Sequence, residues 1–145
     1  MSNLSARPTY TPGQLTKYVT RIFGPNYSLT DLEAEIKVDS LAALGRLQKR
    51  HLGHIPWGNI SMHYSTHKTL SLEPDILYDK IVERGLGGYC MEVNSFFSIV
   101  LRSLGYDLYI TGGRVSNWIE RNGKDPNGFA GWHVFPAASL ITRHR

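Results

Sequence analysis

Apolar side chains recur at three- and four-residue spacing through most of this chain, and alternate in strand fashion only near its end. In "TPGQLTKYVTRIFG" the residues Leu15, Val19, Ile22 and Phe23 share one helical face. Thr11 can cap that helix, Pro12 suits its first turn and Gly24 stops it. "PNYS" reads as a turn and "LTDLEAEI" as a short second helix. "DSLAALGRLQKRHLG" predicts a helix capped by Asp39 or Ser40, with a stripe of Leu41, Leu44, Leu47 and Leu52 and with Gly53 at its end. "HIPWGNISMHYS" reads as irregular or extended, because Pro56 removes an amide hydrogen and Gly58 interrupts regular structure. "EPDILYDKIVERG" is a further amphipathic helix, with Pro74 early and Gly85 after it.

The longest apolar pattern follows in "GLGGYCMEVNSFFSIVLRSLG". From Cys90, the residues Val93, Phe96, Phe97, Val100, Leu101 and Leu104 keep one face apolar, and Gly105 stands at the place of a left-handed cap. "YDLYITGGRVS" is the first segment with convincing strand alternation. "NWIERNGKDPNGFAGW" reads as a polar loop, and "HVFPAASLITRHR" has no sustained period of either kind. Neither internal repeats nor a low-complexity tract occur. The layout is α+β, a helical bundle followed by a sheet that has barely begun.

Composition narrows the class. With 145 residues, 41% of them hydrophobic and 19% charged, the chain suits one domain with a real core. The net charge of +4 is scattered, so no nucleic-acid partner is expected. Its densest basic run, "RLQKRH" (Arg46 to His51), reads as a solvated helix face. The single cysteine excludes an internal disulfide framework and makes a reducing, cytoplasmic setting the expectation. No secretory pattern opens the sequence, and no stretch reaches the about 20 apolar residues of a membrane span. No cluster has the ligand spacing of a metal site.

Cys90 carries two readings. Free cysteines are among the most buried residues, and Cys90 belongs to the apolar stripe of its helix. Against that inert role, it stands in the first turn of the helix, where unpaired amides and the macrodipole favour a thiolate. Gly85, Gly87 and Gly88 precede it, and glycines let a substrate approach without Cβ obstruction. A nucleophilic thiolate also needs a base, usually a histidine held by a carboxylate or amide. Of the six histidines, His51 and His54 fit a structural or helix-terminal role, and His63 and His67 lie in a polar connection. His133, after the first strand and a long loop, is the candidate that can return to the cysteine helix.

At these residues the chain resembles the arylamine N-acetyltransferases. "ERGLGGYCMEVNSFFSIVLRSLGYDLYITGGRV" is similar to that family's active-cysteine segment, through Gly87, Gly88, Tyr89, Cys90, Glu92, Asn94, Leu104, Gly105, Gly113, Arg114 and Val115. "LAALGRLQKRHLGHIPWGNISMHYS" resembles its upstream motif through Leu41, Leu44, His51, Ile55, Pro56, Asn59 and Ile60. The "GYCMEVN" wording looks most like fungal members. The resemblance implies that Cys90 accepts an acetyl group from acetyl-CoA as a thioester and passes it to an arylamine or hydrazine, malonyl-CoA being an alternative donor. It implies His133 as the partner base, substrate contact at Gly87, Gly88 and Tyr89, and Arg84 as the motif arginine displaced by two residues.

The same resemblance implies a cysteine-peptidase-like arrangement in which the helical bundle leads into the first strands of an incomplete β-barrel. Residues 1–10 are then a flexible arm, 11–105 the helical domain with the cysteine, and 106–145 the start of the barrel with an irregular tail. The family's aspartate has no counterpart, since "PAASLITRHR" holds no acidic residue and Asp107 and Asp125 precede His133. A truncated or alternatively spliced product is the corresponding expectation. Its rivals are an inactive helical module that binds a partner or turns over, and a papain-like peptidase sharing the Cys-then-His order.

Overall fold

The computed structural model describes residues 7–64, 70–116 and 129–138. Helix α1 spans Pro12–Phe23, opened by a reciprocal cap in which Gln14 N–H donates to Thr11 Oγ1 at 3.3 Å and Thr11 N–H donates to Gln14 Oε1 at 2.9 Å. Gly24, at φ 96°, ends it in a conformation that only glycine adopts cheaply. Helix α2, Leu29–Val38, starts with the same device between Ser28 and Asp31. Helix α3, Ser40–His54, is capped by Asp39, whose carboxylate accepts from the amides of Leu41 and Ala42.

The buried face of α3 differs from the expected leucine stripe. Ala43, Leu47 and His51 point inward, while Leu41 and Leu52 are exposed and Gly53 lies inside the helix. A four-residue step from Ala43 fits the groove beside α1, and the leucine spacing lost to that packing geometry. Arg46, Gln48, Lys49 and Arg50 do face solvent, but the run ends in a buried histidine.

Ile55 to Asn59 are non-helical, as expected, but Ile60–Tyr64, read as part of the same irregular segment, form a short helix α4. Helix α5, Pro74–Tyr78, passes directly into a π-helical turn, Asp79–Glu83. Helix α6, Cys90–Ser103, is the centre of the molecule. Phe96, Val100 and Leu101 are sealed against Tyr18, Ile22, Leu47, Leu77 and Ile81 in one apolar core. Tyr10, in the segment before α1, joins that core and donates its hydroxyl to Pro74 O at 3.0 Å. Gly105, at φ 90°, turns the chain out of α6.

Strands β1, Leu108–Ser116, and β2, Phe129–Ala138, form an antiparallel pair running from Leu108↔Ala138 to Ser116↔Phe129. Both pack against α6. The second strand corrects the sequence reading at both ends. Residues 129–132 are strand rather than loop, and 133–138 are strand despite lacking a period. Pro136 supplies no ladder donor and interrupts alternation, so pairing with β1 rather than local preference sets this segment. Residues 117–128 of the expected loop and 139–145 of the tail lie outside the described residues.

Candidate active site

Three backbone segments converge in front of α6. The extended stretch after α3 runs parallel to the glycine turn, with Gly88 N–H donating to Pro56 O at 3.1 Å and Gly58 N–H donating to Gly88 O at 3.0 Å. The approach is closest at Gly87, where a Cβ would stand 1.7 Å from Pro56 O. Glycine at this position therefore has a packing reason of its own. On the other side, Arg21 of α1 donates to Gly85 O at 2.9 Å. Gly85 itself adopts φ 68°. The loop before Cys90 is thus tied to α1 and to the segment after α3.

Cys90 is the first residue of α6 and is buried, 7% of its surface remaining. Its side chain lines a cavity of about 600 Å³ with Pro56, Trp57, Val93, Asn94 and Phe97 and with the C-terminal turns of α3, including His51 and His54. A mostly apolar cleft of this volume, with a few polar groups, suits a small organic ligand. Trp57, on the cavity wall, and Tyr89, the residue before Cys90, have ring centroids 6.1 Å apart. The Tyr89 phenol is held above its ordinary ionisation range by its electrostatic interaction and side-chain hydrogen bond with the adjacent Cys90.

His51 is nearly sealed. Its ring stacks on Phe97 at 4.4 Å and its Nδ1 lies 2.9 Å from the Tyr18 hydroxyl. Burial, followed by the charge of Arg21, pulls its ionisation down to about 4, so the imidazole is neutral at physiological pH. The expected structural role agrees with this burial, although sequence spacing gave no sign of a place beside Cys90. His54 bonds to Arg50 O at 2.9 Å, and His63 on α4 approaches Asn59.

Gly87, Gly88 and Tyr89 form the turn that leads into Cys90, but of these four residues only Cys90 lines the cavity. The structure places His133 on β2 opposite Gly113, on a strand packed against α6. Arg84 and Asp107 are exposed, and His67, Asp125 and His144 lie outside the described residues. Among the described residues, no group of three or more His, Cys, Asp or Glu side chains could hold a metal ion. No described helix is long and apolar enough to cross a membrane. Of two polar residues beneath this turn, Glu92 entered the sequence reading only through the family resemblance and Lys80 did not enter it. Lys80 donates to Glu92 at 2.7 Å, and Glu92 accepts the Tyr89 amide at 2.9 Å. Only a carboxylate at the third helical position hinted at the second bond.

A family model described as N-acetyltransferase matches residues 40–128, more than half of the chain. The chain belongs to the arylamine N-acetyltransferase family. It is 38% identical over 115 residues to N-malonyltransferase FDB2 of Fusarium pseudograminearum, covering 75% of this chain and 34% of that one. It is 33% identical over 102 residues to arylamine N-acetyltransferase, pineal gland isozyme NAT-3, of Gallus gallus, covering 70% and 31%. The chain thus spans about a third of the length of these relatives. Its fold is similar to that of the arylamine N-acetyltransferase from Mycobacterium abscessus, with a TM-score of 0.59 at 22% identity, over 95% of this chain and 44% of that one.

Proposed function

We propose that this chain carries the acyl-accepting part of an arylamine N-acetyltransferase-type enzyme, with Cys90 as nucleophile. In this reading Cys90 Sγ attacks the carbonyl of an acyl-CoA thioester. The new sulfur–carbon bond forms as the CoA thiolate leaves, so the acyl group rests on Cys90. An arylamine or hydrazine nitrogen then attacks that carbonyl, the amide forms, and Cys90 departs as thiolate. A base takes the proton from nitrogen, and we assign that task to His133 on β2. We assign the acceptor side to Tyr89 and to the backbone of Gly87 and Gly88, whose missing side chains let Pro56 and Glu92 close on the turn before Cys90.

The observation that carries the proposal is the placement of the chain's one cysteine at the first turn of α6, on the wall of a cavity about 600 Å³ in volume. Helix amides and the macrodipole at that end favour a thiolate. Acetyl-CoA and malonyl-CoA are both candidate donors, the latter because a fungal relative is named an N-malonyltransferase. Continuation of β1 and β2 into a β-barrel, a boundary near residue 105 between helical and strand domains, and a cytoplasmic setting belong to the same proposal.

The test is intact mass after incubation with acetyl-CoA or malonyl-CoA, beside a Cys90→Ser control. An adduct on the wild type that is absent from the control and discharged by an arylamine supports the proposal, and its mass identifies the donor. A folded chain that takes no adduct from either donor overturns it for this chain, leaving an inactive helical module.

A further inference from the structure

The ion pair between Lys80 Nζ and Glu92 Oε1, 2.7 Å long, lies under the cysteine turn, its side chains retaining 15% and 4% of their surface. The pairs Lys17–Glu83 and Arg46–Glu35 are far more exposed. Burying two charges costs about as much as their attraction returns, so such a pair is a poor device for stability alone. Local geometry gives this one a second purpose. Glu92 Oε2 accepts the amide of Tyr89, the residue before Cys90, at 2.9 Å. Gly88 makes room for the same carboxylate, since a Cβ there would stand 2.9 Å from Glu92 Oε2. Lys80 arrives on the π-helical turn, a rare geometry that concentrates at functional sites. Its carbonyl also receives Leu86 N–H at 3.0 Å, so the loop returning to the cysteine hangs from the same residue.

We infer that Lys80 and Glu92 are positioning residues for Cys90: Glu92 holds the turn that presents the thiol, and Lys80 cancels the carboxylate charge that would otherwise oppose a thiolate beside it. The inference rests on the reading of Cys90 as the nucleophile. Tyr89 adjoins the thiol, His51 and His54 line its cavity from α3, and β2, packed on α6, carries His133. Lys80 and Glu92 add the opposed fixed charges beneath it. A carboxylate freed of its lysine in so buried a place disfavours the neighbouring thiolate, and a lysine freed of its carboxylate favours it.

The experiment follows alkylation of the single thiol by iodoacetamide against pH, on the purified full chain. Lys80→Met is expected to raise the midpoint of the rate profile by about one pH unit, and Glu92→Gln to lower it by a similar amount. Lys80→Arg keeps the wild-type profile, and the double variant Lys80→Met with Glu92→Gln returns close to it. A merely structural pair would move both single variants in one direction. That result, or a Glu92→Gln profile unchanged or raised, overturns the inference. Should Lys80→Met fail to fold, Glu92→Gln and the double variant still decide, because the first must fall and the second must return. The outcomes separate from those of the acyl-transfer proposal. Opposed shifts without any acyl adduct keep the charge balance and remove the enzyme, whereas an adduct without opposed shifts does the reverse.

Discussion

The two ends of α6 are held by different physics. From Phe96 to Leu101 the helix sits in an apolar core, where Phe96 and Val100 are completely buried and no polar partner fixes their orientation. From Gly85 to Glu92 almost every tie is directional: Arg21 to Gly85 O, Gly88 to Pro56 and Gly58, Glu92 to the Tyr89 amide and to Lys80. Apolar burial is proportional to area and tolerates small displacements, whereas hydrogen bonds weaken steeply with distance and angle. One end therefore supplies stability and the other places a single sulfur atom. His51 bridges the two, stacked on Phe97 of the core while facing the cavity of Cys90.

That contrast breaks most visibly at the core. Phe96→Ala removes a fully buried ring, and denaturant unfolding is expected to show a loss of about 4 kcal/mol. Thiol alkylation of the remaining folded fraction should keep its wild-type pH profile. A pH titration of stability probes the bridge between the two ends. His51 falls from 6.5 to about 4 on folding, so the unfolded chain binds the extra proton between those values and the folded chain does not. Stability is fully present above pH 6.5, declines as pH drops, and has lost about 3 kcal/mol below pH 4. Urea unfolding at intervals across that window checks it, and His51→Gln should flatten this part of the slope.

Gly87→Ala sharpens the comparison from the other side. Its Cβ collides with Pro56 O, so the Pro56–Gly88 pairing must open, at about 2 kcal/mol. The larger consequence is expected at the sulfur, with alkylation of Cys90 altered while the near-ultraviolet dichroism of the core aromatics stays close to wild type. If Gly87→Ala instead melts the core signal together with the loop, the two ends are not separable.

Much of this was legible in the sequence, residue by residue. Thr11 and Asp39 announce their helices because a cap is a local event within three residues, whereas Ser28, read as part of a turn, caps α2. Gly24 and Gly105 mark ends because a left-handed turn needs no distant partner. The apolar spacing of α6 and the position of Cys90 at its start are equally local, and the family resemblance at Gly87 to Asn94 holds in the match over residues 40–128. Strand β2 was not legible, since Pro136 and the small residues beside it take their conformation from pairing with β1. The inward turn of His51 was hidden for a related reason. A histidine at a helix end reads as solvent-facing until Tyr18, on a different helix, provides the hydroxyl that lets it be buried.

By itself, then, the sequence determined where helices begin and end, that one thiol opens the longest apolar helix, and to which family those residues belong. Only the tertiary structure decided which face of α3 turns inward, why Gly87 must lack a side chain, and that Lys80 reaches Glu92 across twelve positions of chain. The division has a physical cause. Caps, glycine turns and apolar periodicity depend on neighbours within one or two helical turns, whereas close backbone approach and buried charge pairing depend on which distant segments the core has brought into contact.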